Sequence, residues 1–427
     1  MIQEKTLQIQ VDRFGSGLVH LLPLAAIKLK LSLPNVLMLY SASFPLVFAG
    51  FFVAITKIFK QWDLGIAVLL LYTLITLDGF YWATSELQQG LGFLLVIVAA
   101  ILRYPNLNGK LCWTLLTAAL ISLVFYHPLL ILVLAWAIFY LAFRPSAISN
   151  KRLFVILGIA LVISILKLIF LPNWYDTMKS AETWKHIEAY GSSFWTMPAN
   201  AIFWKYSWSV LYGFWVVYLV VTIHYCIARK WLLLFWMTAC SAGWILLIHF
   251  SDPNFTHPFY QEVSYMPLAL FVGLPLVKDV LPTWRRKWAY AFITFILLQR
   301  LIAIGLHHVE YSDRISWLAL QIETTNVQGN SRSWVAASDT PNEELKMTWA
   351  TAYETLLLSS LNGPENSKTV TILADTTGKQ SFLMSDSLLV ADFATYPIGS
   401  LDSTYFRLSF GATIFLAPSG NGAKVQK

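Results

Sequence analysis

Leu232–Phe250 reads LLLFWMTACSAGWILLIHF, nineteen residues without an Asp, Glu, Lys or Arg. At 1.5 Å per residue, a helix of that length covers about 28 Å, close to the roughly 30 Å of a bilayer's hydrocarbon core. Arg229 and Lys230 precede it, and Ser251-Asp252-Pro253 follows, so one end is basic and the other lacks Lys and Arg. The stretch predicts a transmembrane helix. Similar runs lie near Pro34–Thr56, Leu64–Thr84, Leu87–Leu102, Leu111–Tyr126 and Leu129–Phe143. Others lie near Leu153–Leu171, Val210–Ala228, Met266–Val280 and Trp288–Leu306. Tyr126-His127-Pro128 reads as a tight turn between two of them, because Pro removes a backbone donor.

Composition agrees with this reading. Hydrophobic residues make up 57% and charged residues 12% of the 427, where soluble domains carry about 25% charge. The fold class expected is a polytopic α-helical membrane protein of about ten transmembrane helices, with a small C-terminal α+β domain. Residues 1–33 are expected as an extracytoplasmic or interfacial segment, 34–308 as the transmembrane domain with an outer loop at 172–209, and 309–427 as the C-terminal domain. Cys112, Cys226 and Cys240 lie in or beside hydrophobic runs. They form no C-x-x-C metal or redox pattern, and the polar tail has no cysteine for a disulfide.

Charge between the runs predicts orientation. One set of loops holds Lys57/Lys60, Arg103/Lys110, Arg144/Lys151/Arg152, Arg229/Lys230 and Lys278/Arg285/Arg286/Lys287. The alternating set, Ser85-Glu86, His127-Pro128 and Ser251–Ser264, has no Lys or Arg. Basic loops stay cytoplasmic, so the loop after Pro172 and the C-terminal domain are expected outside. From Glu310 onward there are eight Lys/Arg against twelve Asp/Glu, leaving the membrane part about +11 of the chain's net +7. That basic excess belongs to loops and implies no nucleic-acid partner. Ten spans with the C-terminus outside also place Met1 outside, ahead of polar Gln3-Glu4-Lys5. The expectation is an eleven-span protein whose first helix precedes this sequence, the alternative being a protein whose N-terminus lies outside as written. Gly17–Leu31, broken by Pro23 and carrying Lys28 and Lys30, reads as interfacial or re-entrant.

The outer loop carries Trp174, Tyr175, Trp184, Tyr190, Trp195, Trp204, Tyr206 and Trp208, suited to the headgroup plane or to stacking on sugars. Beyond His307-His308, helical faces (Ile315, Leu318, Ala319, Ile322; Trp349, Tyr353, Leu356, Leu357) alternate with strand-like runs at Ser333–Ala337, Thr369–Leu373, Tyr405–Ser409 and Thr413–Leu416.

Ionisable groups inside lipid are costly and therefore functional candidates. Asp78, Glu86, Lys167 and Arg300 all fall on the outer side; Lys167 alternatively snorkels and Arg300 alternatively pairs for structure. The loop Ser251–Glu262 is the densest polar cluster between runs. Its Asp252, His257 and Glu262 are able to bind a divalent cation such as Mg or Mn, hold a sugar hydroxyl or move a proton, or simply to shape the loop. No standard zinc spacing, phosphate loop or G-x-S-x-G is present.

Arg13-Phe14-Gly15-Ser16 followed by Leu21-Leu22-Pro23-Leu24, Thr84-Ser85-Glu86 opening a span, and Tyr126-His127-Pro128 resemble segments of the GT-C class of polytopic glycosyltransferases. The resemblance covers roughly residues 10–300. It implies transfer of a sugar from a polyprenyl-phosphate carrier to an acceptor on the outer face of a bacterial-type inner or plasma membrane. It implies catalytic roles for Glu86, Asp252, His257 and Glu262, and substrate binding by Asp78, Lys167 and Arg300. In that class a first-loop acid serves as base or metal ligand; here that loop would precede Met1 or survive only near Asp12. The alternatives are a non-catalytic membrane scaffold and a transporter of a lipid-linked anion, the latter disfavoured by the lack of an internal repeat.

Overall fold

A computed structural model describes the chain apart from residues 1, 3, 4, 8, 10, 83–85, 107–108, 145–147, 256–257, 328–329, 342–344, 346–347, 349, 374–385, 392–393, 410–413 and 417–427, and apart from the side chains of 258–260, 389–391, 394 and 414. The helices that matter below are α1 (Gly17–Lys28), α2 (Leu33–Val53), α3 (Trp62–Leu71), α4 (Asp78–Tyr81), α5 (Glu86–Arg103), α6 (Lys110–Val124), α7 (Leu130–Ala142) and α8 (Asn150–Phe170). They continue as α9 (Trp174–Tyr190), α10 (Pro198–Ser209), α11 (Tyr212–Ile227), α12 (Trp231–Ser251), α13 (Pro258–Pro275), α14 (Arg286–Leu306), α15 (His308–Val327) and α16 (Thr351–Ser359).

The protein is a helical membrane protein. Among the described residues, six helical stretches are long and apolar enough to cross a bilayer: Leu33–Ile58, Glu86–Arg103, Asn150–Phe170, Trp231–Ser251, Gln261–Thr283 and Arg286–Val327. A seventh arises if α10 and α11, bent by 86° at their junction, act as one. The expected runs at Leu64–Thr84, Leu111–Tyr126 and Leu129–Phe143 yield shorter apolar helices, Trp62–Leu71, Lys110–Val124 and Leu130–Ala142. The first stops at Leu71 because the carbonyls of Thr73 and Thr76 turn to Arg300 instead of continuing the ladder.

The residues divide into two compact units, Gln8–Leu21 with Ala42–Leu306, and Met1–Leu7 with Leu22–Ser41 and His307–Lys427. In the larger, α13 beyond Ser264 is apolar on every side and buried accordingly. Leu268, Leu270 and Val272 pack in one core with Leu70 of α3, Leu91 and Leu95 of α5, Val133 of α7 and Val217 and Val221 of α11. α5 approaches α7 closely because Gly90 has no side chain: a Cβ there would lie 2.2 Å from Leu130 Cδ1 and 2.9 Å from Tyr126 Cβ. A π-turn, Leu276–Val280, follows Pro275 at the end of α13.

The smaller unit contains β1 (Arg332–Ala336), β2 (Thr369–Leu373), β3 (Ser387–Ala391), β4 (Ala394–Pro397) and β5 (Ile414–Phe415). β2-β1-β5 form a parallel sheet with Val335 opposite Ile372 and Ser333 opposite Ile414. Parallel neighbours need a crossover, and α16 supplies the one between β1 and β2. β3 and β4 pair antiparallel. The core joins Ala26, Ile27, Leu33 and Val36 to Leu356, Leu388, Tyr405 and Phe406. Tyr405 also donates to the Leu31 carbonyl at 3.0 Å, and Lys5 meets Asp402 at 3.3 Å. Tyr405–Ser409, expected as a strand, instead begins in a turn: the Asp402 carboxylate accepts from the Thr404 amide, and its backbone carbonyl from the amides of Tyr405 and Phe406. Asp is a strong turn former because its carboxylate captures nearby N–H groups. Trp349, expected on a helical face, lies outside the described residues.

Candidate functional site

Arg13 is the hub of the first polar arrangement. It is 7% exposed and sits just before the short 3-10 turn Phe14–Ser16. Its Nη1 donates to Glu86 Oε2 and its Nη2 to Asp176 Oδ1, both at 2.9 Å. Glu86 opens α5 and Asp176 lies in the first turn of α9, where carboxylates also suit the helix dipole. Asn173 caps α9 by accepting from the Asp176 amide at 2.7 Å, and its Nδ2 donates to Asp176 Oδ2 at 2.7 Å. Burial works against the Arg13 charge, but the two carboxylates outweigh it and hold its pKa above the ordinary value. Gly15 is needed beside it, since a Cβ would sit 2.5 Å from the Tyr126 ring.

Next to Arg13, Phe14 and Gly15 join Ile121, Ser122 and Phe125 around a cleft of about 310 Å³. Lys167 of α8 reaches its edge, with Nζ 4.8 Å over the Phe125 ring and donating to the Val124 carbonyl at 3.1 Å. An ammonium thus lies over one of the rings that line the cleft, and the residue before Phe14 holds the pair of carboxylates.

His127, in the turn between α6 and α7, is pushed down to about 3 by burial first and then by the Arg13 and Lys167 charges, against the pull of Asp176. The neutral ring fits its contact, since Nδ1 accepts from the Leu129 amide at 3.3 Å. Unfolded, this histidine titrates near 6.5, so the unfolded chain takes up a proton that the folded one refuses. Its contribution is therefore fully present above pH 6.5 and is lost as pH falls toward 3, by at most about 1.4 kcal/mol per pH unit. Unfolding free energies measured from pH 7 to 4 should show that slope, and His127→Gln should flatten it; an unchanged slope in the variant would remove His127 as the cause.

A second arrangement surrounds Glu262 on α13, which is 1% exposed. Its Oε2 accepts from the amides of Leu77 at 2.9 Å and Gly79 at 2.8 Å, and its Oε1 accepts from the Tyr206 hydroxyl. These two amides flank Asp78, which is also buried. Arg300, fully buried in α14, donates to the carbonyls of Thr73 at 2.9 Å, Val210 at 2.7 Å and Thr76 at 3.2 Å. It lies within Coulombic range of Glu262 and Tyr206. The donors aimed at Glu262 carry positive hydrogens, an arrangement built for a bare carboxylate and unsuited to a divalent cation. Neither Mg nor Mn fits at Glu262.

Asp252 belongs to a third place, accepting from Gln261 Nε2 at 2.5 Å. His257 lies outside the described residues. The expected site residues therefore separate: Lys167 lies over the Phe125 ring of the cleft, Glu86 is paired with Arg13, Asp78, Glu262 and Arg300 form a buried group, and Asp252 sits in its own loop. Asp176 was not singled out by sequence reasoning. Its available signal was the Asn173-x-x-Asp176 spacing of a helix cap. Trp174, Trp184 and Trp195 are exposed, the last by 85%, which suits headgroup anchoring and sugar stacking alike. No protein family, curated protein or solved structure matches this chain.

Proposed function

We propose that the protein is a membrane glycosyltransferase of GT-C type, moving a sugar from a polyprenyl-phosphate carrier to an acceptor on the side of the Lys/Arg-poor loops. The observation that carries this reading is the cleft beside Arg13, where Phe14, Ile121 and Phe125 offer an apolar wall and Lys167 a cation. A polyprenyl phosphate has that chemistry: an isoprenoid for the wall and a phosphate for the ammonium. Glu86 or Asp176 then takes the acceptor hydroxyl's proton as its oxygen attacks the sugar's anomeric carbon. The bond to the carrier phosphate breaks, and Lys167 balances the charge left on that phosphate. The ten-span layout, the outer loop at 172–209 and an extracytoplasmic C-terminal domain in a bacterial-type inner membrane belong to the same proposal.

A scaffold without catalytic activity is the second reading. It is favoured by the way Arg300 and Glu262 are engaged with backbone groups and by the separation of Glu86, Asp252 and Arg300. Transfer assays with polyprenyl-phosphate sugars decide between them. Glu86→Gln should lower kcat about 100-fold, as loss of a general base does, while Lys167→Gln should mainly raise KM. Absence of transfer from every polyprenyl-phosphate sugar tried would leave the scaffold; full activity in both variants would remove the Arg13 cleft as the site of transfer.

A further inference from the structure

Far along the chain from the Arg13 cleft, a second cleft of about 410 Å³ opens where three Lys/Arg-rich connections converge. Arg144 follows α7, Lys230 precedes α12 and Lys278 lies in the π-turn after α13. All three line the cleft, with Asp279 and Thr283. The volume falls in the range of ligand sites, about 300–1,000 Å³.

Asp279 organises the cleft. Its side chain is only 4% exposed. Oδ2 accepts from the hydroxyls of Tyr140 at 2.6 Å and Tyr225 at 2.7 Å. Oδ1 faces Arg144 Nε at 3.1 Å and Lys230 Nζ at 3.4 Å. Arg144 Nη2 is further fixed on the Lys278 carbonyl at 2.9 Å. Lys278 pairs with Asp63 in the first turn of α3. Three cations thus face two carboxylates, and the cleft keeps a net positive charge. Lys230 carries that surplus: its side chain is 39% exposed, and an ammonium has three protons to donate, of which the long contact to Asp279 uses one. Arg229 precedes it in sequence, and Arg285, Arg286 and Lys287 follow Thr283 closely, raising the local potential for anions. The π-turn is what aims Lys278 and Asp279 here, and such turns recur at functional sites.

We propose that this cleft binds a phosphate-bearing anion, held by Lys230 and Arg144 with Asp279 fixing their geometry. Phosphate suits it because Arg144, held through Nε and Nη2, still has Nη1 to donate and Lys230 adds a point charge, and phosphate oxygens accept from both kinds of cation. The phosphate belongs to a lipid headgroup or to a soluble ester, and the chemistry at the cleft is the same. The proposal is independent of the glycosyltransferase reading, which concerns the Arg13 cleft.

The test uses the full-length protein in phosphatidylcholine nanodiscs, with and without phosphatidylglycerol, and titrated separately with pyrophosphate. Retained lipid is read by native mass spectrometry, and pyrophosphate binding by the shift in Tm. Lys230→Gln should weaken binding about tenfold, the worth of one charge-assisted contact. Lys230→Arg should restore it. Thr283→Glu, a change at an exposed rim position, should also weaken it and stands in if Lys230→Gln does not fold. Lys151→Gln, at an exposed position in the first turn of α8 that does not line the cleft, should leave it within about twofold. Pyrophosphate binding in phosphatidylcholine discs identifies a soluble phosphate; selective retention of phosphatidylglycerol identifies a headgroup. Either supports the proposal when it depends on Lys230. Binding that is absent, indifferent to Lys230 and Thr283, or equally reduced by Lys151→Gln overturns it.

Discussion

Arg300→Leu should lower the protein's stability by about 3–5 kcal/mol, measured by thermal or denaturant unfolding in detergent. The fully buried guanidinium donates to three carbonyls, those of Thr73, Thr76 and Val210. Those carbonyls are displaced from any helical ladder, and in a low-dielectric interior no water replaces the lost donors. Leucine fills similar space and supplies none. Arg300→Lys keeps the charge without the fork, so it should recover only part of the loss. A leucine variant as stable as the parent would mean that the carbonyls find other partners, and the account given for the end of α3 would fall with it.

Glu262→Leu should cost a similar amount, about 3–5 kcal/mol, for the complementary reason. It strands donors: the amides of Leu77 and Gly79 and the hydroxyl of Tyr206 all point at this one carboxylate. Glu262→Gln retains one acceptor oxygen for the amides and turns a donor toward the Tyr206 oxygen, so a loss near 1 kcal/mol is expected. The comparison is diagnostic. Equal losses in the glutamine and leucine variants would show that charge, not acceptor geometry, is what Glu262 contributes.

How far these features could be read in the sequence depended on whether their cause was local. Leu232–Phe250 became Trp231–Ser251 and Leu153–Leu171 became Asn150–Phe170, because length and apolar character alone determine such a span. Thr369–Leu373 was legible as a strand from its β-branched residues, and β2 has those bounds. The region after Leu71 was not, since its helix yields to a partner, Arg300, more than 220 residues away. The candidate site shows the same division. Asp78, Glu262 and Arg300 stood out as charges in apolar surroundings, but which backbone groups Glu262 and Arg300 serve depends on contacts 90 to 227 residues distant. Arg13 was legible only as part of the Arg13-Phe14-Gly15-Ser16 motif; the fold buries it and gives it Glu86 and Asp176.

The packing of Leu22–Ser41 with the C-terminal residues has a consequence for how the chain is made. Leu31 and Tyr405 are hydrogen-bonded across 374 residues, and translation at 5–20 residues per second separates their appearance by about 20–75 s. For most of that interval Ala26, Ile27, Leu33 and Val36 have been synthesised while Leu356, Leu388 and Tyr405 have not. The smaller unit therefore closes only after the ribosome has finished nearly all of the protein. Its earliest residues must be sheltered meanwhile by the bilayer or a chaperone, and C-terminal truncation is expected to leave an early segment exposed to proteolysis.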